Sequence, residues 1–554
     1  MDLSKFSINK IRIELWTAHI LAEQRCLRKA CEWAEDLLWA LPEEGEHKLL
    51  AKLNKDLNDV TKGIDPTYEH AKACFELHEY DRAAHIIRDH KFDDKARFLH
   101  YFAKYKGAEK KRIDLMNDVS INIPRGAILK FNELRDSLER SMDAKEPDGW
   151  LFYVYGLVLH KFRLHRNAVE VLQQSINLTP NNWSAWYLLS TLIDSTELLH
   201  SLSLPNHLFK VFFYQMVRLE LELPNNVTWT MVGYKETKNF LDKYFKNSLF
   251  IKTLNAKYLG HQSSKYRDAM DIFAQIRTED PYRVDSTEIY SNFLYVRKMR
   301  RELSRLAYEI ERVDPFTLEA NSCIANSFSA REQHTKAIVY FTRALRLHPD
   351  HLNSWTLIGH EYLEMKSIDK ASQAYRFAIS INKRDCRAWL GLGNTIETKM
   401  SGPNVTDPNY ESCLYYYSQV GKYRPKDHIM FMAMGNIYEK MNEIDKAIAC
   451  IEKAGQEGLF KLAKLYDADG RRLQAAETYK KWLKHLDSMK EYHSSQTDTS
   501  GPNAGTSGND TANSTSSYKP LASVMTSLSE CDDEVSHARA YIEQVERAQK
   551  EAED

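Results

Sequence analysis

With 554 residues the chain is too long for one compact core, so several domains or a repeat array are expected. Apolar residues make up 43% and charged residues 28%, and the few Gly and Pro favour helices joined by short turns over sheets. A net charge of −1, from 76 basic and 77 acidic residues, provides no global attraction to nucleic acid or to an anionic membrane.

In chain order, the opening MDLSKFSINKIRIELW lacks a signal-peptide apolar core, and no roughly 18-residue uncharged apolar run follows. Eight scattered cysteines form no C-x-x-C pair, so the chain reads as intracellular, with reduced thiols and no zinc ribbon. ELHEYDRAAHII, with Ala71, Ala83 and Ile87, has the spacing of a helical hairpin, and the basic KKRID at 110–114 reads as a solvated helix end. A clearer unit starts at 149, with Phe152, Tyr155, Gly156, Ala168, Leu172, Ser175 and Pro180; Trp186, Leu189 and Ser190 begin the next. Residues 206–249 are helical in character but cannot be phased.

Pro281, Pro315 and Pro349 then recur every 34 residues, each closing a helical segment. With aromatic/Leu, Gly/Ala, Tyr, Ala and Phe/Tyr between them, this is the tetratricopeptide (TPR) pattern. Units follow from 318, 352, 386, 428 and 456, the one from 386 interrupted by SGPNVTDPNYES, a loop insertion at 401–412. Small residues such as Gly359 and Ala371 let two antiparallel helices approach, and Trp355 and Tyr375 fill the gap to the next unit. One hairpin cannot bury its own apolar faces, so the expected fold is all-α, a TPR solenoid forming a right-handed superhelix of antiparallel helix pairs. The expected divisions are 1–145 (amino-terminal repeats), 149–249 (middle units with the irregular segment), 250–487 (a carboxy-terminal superhelix with a groove), 488–517 (a disordered Ser/Thr/Gly/Asn linker) and 518–554 (a helical cap).

Little room is left for a catalytic domain. Phosphate-cradling, dinucleotide and nucleophile-elbow motifs are lacking, so neither enzymatic activity nor a cofactor is expected. GHEYLEM holds H-E-x-x-E, with Glu364 where a zinc helix needs its second His. The ninth position of successive units reads Asn292, Asn326, His360, Asn394 and Asn436. Asparagine is a below-average helix former, so its recurrence at one geometrical position needs a tertiary reason. A row of amides down a groove can pair with the backbone of an extended peptide, and the adjoining Glu361 carboxylate suits an arginine side chain. The alternative is that these groups bond to neighbouring helices or to water.

Several stretches combine non-consensus residues with the repeat: EYDRAAH, DGWL, SLSLP, DPYRV, LYVR, GHEYLEMK, NKRD, RAWLGLG, CLYYY and KLAKLYD. Collinear over about 15–487, they resemble the TPR subunit 8 family (the Cdc-twenty-three type) of the anaphase-promoting complex. The resemblance implies a non-catalytic scaffold subunit of a multi-subunit cullin–RING ubiquitin ligase that controls mitotic progression, resident in nucleus and cytoplasm. It implies homodimerisation through the amino-terminal repeats, contacts with other TPR and scaffold subunits, and a groove for the arginine-containing C-box of a WD40-type coactivator. The positions matching that family's arginine receptor are Asn326 and Glu361. A TPR adaptor such as a co-chaperone is the competing expectation, but grooves that clamp a peptide carboxylate carry Lys and Arg, whereas Asn and Glu suit a cationic ligand.

Overall fold

A computed structural model describes residues 8–41, 66–88, 93–115, 125–143, 148–220, 234–260, 266–400, 410–425, 427–497 and 531–553. Every regular element among them is a helix, and most pair as antiparallel hairpins. Residues 401–409 of the insertion at 401–412, the part of the unphased segment at 221–233 and the tract at 498–530 lie outside the described residues, while 410–412 are not loop but the first turn of helix Tyr410–Tyr423. The chain divides into two compact units, residues 1–293 and 294–554.

The first unit departs from serial stacking. Its amino-terminal hairpin, Ile8–Glu23 and Arg28–Trp39, packs against helices near 183 and 249 as well as within itself. The Trp33 indole stacks on Trp183 with ring centres 3.8 Å apart and planes 8° from parallel, and Phe209, Phe212 and Phe250 meet it edge-on. The edge-on contacts are among the favourable aromatic geometries. Asp36, one turn on, accepts hydrogen bonds from Ser248 Oγ (2.7 Å) and the Phe250 N–H (3.2 Å), and pairs with Arg283 at 3.3 Å. In KKRID, Arg112 is not solvated: it is buried and paired with Glu109 at 3.0 Å, because its helix packs on both neighbours.

The second unit follows the repeat. Hairpins Leu318–Ser329/His334–Leu347, Leu352–Glu364/Ile368–Ile381, Cys386–Met400/Tyr410–Tyr423, His428–Lys440/Ile444–Ala454 and Leu459–Ala468/Arg472–Thr497 stack in order. A side chain added at Gly359 would lie 2.6 Å from the fully buried Tyr375 ring; at Gly393 it would meet Tyr417 at 2.4 Å, and at Gly435 Ile451 at 2.5 Å. Gly391, in the next hairpin, closes on the same ring, where an added side chain would lie 2.5 Å away. The tyrosine is therefore held between two hairpins.

Two further devices set the repeat. The Trp355 indole N–H donates to the Pro349 carbonyl at 2.8 Å, as Trp186 does to Pro180 in the first unit, which explains the Pro–Trp spacing. The first helices Leu318–Ser329, Leu352–Glu364 and His428–Lys440 end in a Schellman motif, with Glu332, Lys366 and Asn442 in left-handed backbone at φ of 62°, 58° and 63°. The next N–H bonds back to the helix: Gln333 to Phe328, Ser367 to Tyr362 and Glu443 to Tyr438, at 2.8–3.0 Å. These bonds offset the roughly 1–2 kcal/mol that left-handed backbone costs a residue with a Cβ.

At the carboxy-terminal end, helix Arg472–Thr497 continues through 488–497, part of the expected linker, because DSMKEY supplies competent helix formers. Helix Cys531–Glu553 lies on it, burying Ala538, Ile542 and Val545, with Lys480 paired to Glu546 at 2.6 Å.

Candidate functional site

The eighth-position glycines fix how each first helix is rotated, since only their side of the helix can approach the second helix. The ninth residue then lies at the edge of that contact, where His360 still reaches the Tyr375 hydroxyl, and the tenth, Glu361, reaches the preceding hairpin. Asn292 lies in the first unit, while Asn326, His360, Glu361, Asn394 and Asn436 all lie in the second.

Glu361 is the most enclosed acid of the group, 3% exposed. Its Oε1 accepts from Ser329 Oγ at 2.5 Å, and its Oε2 lies 2.8 Å from His334 Nδ1. Ser329 Oγ is also 3.1 Å from the Tyr295 hydroxyl. Asn326, 1% exposed, sits one turn before Ser329 on the same helix, so their side chains share a face. The hydrogen bond to Glu361 raises the His334 pKa above its ordinary value; burial opposes this, and the charges of Glu361, Glu364 and Glu332 add to it. The site is thus an enclosed carboxylate served by one neutral and one titratable donor.

The other ninth-position groups meet different fates. His360 Nδ1 lies 2.6 Å from the Tyr375 hydroxyl, and burial, with Arg387 near, pushes the imidazole down to about 4. It is therefore neutral near pH 7 and shares a hydrogen bond with the tyrosine hydroxyl; Glu364, its partner in H-E-x-x-E, is exposed. Asn436 accepts from Lys461, which also pairs with Glu439 at 2.8 Å. The Asn394 Nδ2 amide is buried without a hydrogen-bond partner, so it keeps donor capacity. Glu397, beside it, accepts from the Tyr417 hydroxyl at 2.9 Å and pairs with Lys440 at 2.6 Å. The ladder is one register, but not one uniform row of available amides.

Ser329, His334 and a network around Asp385 escaped the sequence reading. Asp385 accepts from Thr356 Oγ1 at 3.1 Å and from Arg387 Nε at 3.0 Å, while Arg387 donates to Asn353 at 2.8 Å. Burial pushes the Asp385 carboxyl up, but Arg387 and these hydrogen bonds outweigh it and hold the pKa below the ordinary value. The available signal was the 34-residue frame itself, in which Asn353 and Arg387 occupy equivalent second positions. Among the described residues no group of three His, Cys, Asp or Glu is arranged to hold a metal ion, and no helix is long and apolar enough to cross a membrane.

Residues 10–256 match the family described as Anaphase promoting complex subunit 8 / Cdc23. Anaphase-promoting complex subunit 8 of Arabidopsis thaliana is 34% identical over 350 residues, covering 62% of this chain and 57% of that protein. The chain is similar to the subunit 8 family. The cell division cycle protein 23 homolog of Homo sapiens, 37% identical over 314 residues, covers 55% of this chain and 50% of its own length. The chain thus spans about half the length of the curated subunit 8 relatives it matches. A tetratricopeptide-repeat family matches 352–385 and 430–454, within the second unit. A solved structure described as the APC/C hetero-tetramer Cut9-Hcn1 shares the fold, with a TM-score of 0.56 at 14% identity over 85% of this chain and 86% of that one.

Proposed function

We propose that this chain is a non-catalytic scaffold subunit of an anaphase-promoting-complex type cullin–RING ubiquitin ligase, present in nucleus and cytoplasm and acting in mitotic progression. Its repeats hold neighbouring TPR and scaffold subunits, two copies pair through the amino-terminal repeats, and the second unit receives the arginine-containing C-box of a WD40-type coactivator. The observation that carries the binding reading is Glu361, a carboxylate almost wholly enclosed by protein and next in sequence to the ninth-position register. A guanidinium can supply two parallel N–H donors to such a group, and Asn326 offers an amide on the same side as Ser329.

Glu361→Ala is expected to weaken binding of an arginine-bearing C-box peptide by about 1.5–3 kcal/mol, the range for a hydrogen bond to a charged group. Titration calorimetry on the full chain measures it, with circular dichroism as the control for folding; unchanged affinity would remove Glu361 from the site. Light scattering on the full chain is expected to give twice the monomer mass, and a monomer at micromolar concentration would remove the pairing. Tagged chain isolated from its native cells is expected to bring ubiquitin-transfer activity with it, in an assay of the eluate.

A further inference from the structure

We infer that His334 is a built-in competitor for the Glu361 carboxylate: its imidazole occupies that group in the unliganded protein and yields it, with loss of a proton to water, when an arginine side chain binds. This rests on the reading of Glu361 as an arginine receptor and adds a residue to that site.

The geometry orders the two donors. Ser329 reaches Glu361 from within the packed first helices, whereas the His334 side chain is 27% exposed against 4% for Glu361. A cation arriving from solvent therefore meets the imidazole first. The hydroxyl of Ser329 is uncharged and can stay in place beside a guanidinium. A protonated imidazole cannot, because two cations on one enclosed carboxylate repel each other across a short distance of low polarity.

The charges around His334 decide its resting state. Glu361 and Glu364 face it from helix Leu352–Glu364, and Glu332 faces it from its own turn. Glu332 is in turn 3.7 Å from Arg300, and the Tyr295 hydroxyl reaches the cluster through Ser329. The surroundings are net acidic, and they favour the imidazolium. A histidine whose folded pKa is raised stabilises the fold fully below its unfolded value of about 6.5, and that contribution disappears as pH rises through the folded pKa. Arginine binding runs the opposite way. It is weakest where His334 holds its proton and strengthens as pH rises through the same window, by at most about tenfold per pH unit for one released proton.

The test is calorimetric titration of the full chain with an arginine-bearing C-box peptide at about pH 6, 7 and 8, in two buffers of different ionisation heat. Affinity is expected to rise several-fold from the lowest to the highest pH, with proton release at the lower values. His334→Asn, which keeps an N–H donor but cannot titrate, is expected to bind with a flat profile and no proton release. Binding by the wild type that is independent of pH, or a slope that survives in His334→Asn, overturns the competitor role and leaves Glu361 as the receptor. The second arm follows the His334 imidazole by NMR in the unliganded chain, where it should titrate above ordinary histidine and fall in Glu361→Gln. An ordinary titration there also overturns the role. Absence of peptide binding at every pH, with the His334 titration as expected, overturns the arginine-site reading and this inference with it.

Discussion

Tyr375→Ala is expected to destabilise the second unit by about 3–5 kcal/mol, the range for removing a large aromatic from a packed core. The ring is fully buried and lies between glycines of two successive hairpins, Gly359 and Gly391, so little can collapse into the space it leaves. The loss is a loss of stacking, because each hairpin buries its apolar face only against its neighbours. Tyr375→Phe keeps the ring and gives up the hydroxyl's bond to His360, for about 1 kcal/mol. Amide hydrogen exchange across 352–400 separates the two. Protection in both hairpins should fall sharply in the alanine variant and only slightly in the phenylalanine one. Equal protection in wild type and Tyr375→Ala would mean the ring does not join the hairpins.

Trp33→Ala is the corresponding expectation for the first unit, again about 3–5 kcal/mol. Its indole is the centre against which Trp183 stacks and Phe209, Phe212 and Phe250 abut. Its loss should also loosen Asp36 from Ser248 and Arg283, since the same helix carries both anchors. Trp33→Phe should recover much of the stability, because the indole N–H has no hydrogen-bond partner to lose. Thermal unfolding read by near-ultraviolet dichroism reports directly on the stacked tryptophan pair. An unchanged transition in Trp33→Ala would show that the amino-terminal hairpin is not a structural part of this unit.

These expectations mark what periodicity can and cannot carry. Unit starts read from the prolines, at 318, 352, 386 and 428, coincide with the first residues of helices because the Pro–Trp hydrogen bond and the small residue at position eight are local to the repeat. The unit read from 456 starts late: Gly455, at φ 71°, opens a short 3-10 turn and the helix begins only at Leu459. Trp33 against Trp183 had no such signal, since the partners lie far apart in sequence and Trp33 belongs to no phased unit. The site divides in the same way. The register of Asn326, His360, Asn394 and Asn436 was readable, but what each side chain meets was not, because the partners come from a different element in each case, the same hairpin for His360 and a neighbouring one for Asn436 and for the adjoining Glu361. Lys461 takes Asn436, Tyr375 takes His360, and His334 takes Glu361 from 27 residues upstream.

The tyrosine between Gly359 and Gly391 has a mechanical consequence. A spring of stacked hairpins bends where adjacent elements can slide, and a rigid ring closely approached by glycines of both hairpins leaves little such play. The next junction is built differently: a side chain at Gly421 would meet the Met430 side chain, its sulfur at 3.2 Å, and a thioether on three rotatable bonds yields easily. Elasticity along the second unit is therefore uneven, stiff between the hairpins that carry Glu361 and Asn394 and compliant one step further on. Under load the hairpins that meet at Tyr375 would move together, and deformation would concentrate at the junction beyond them.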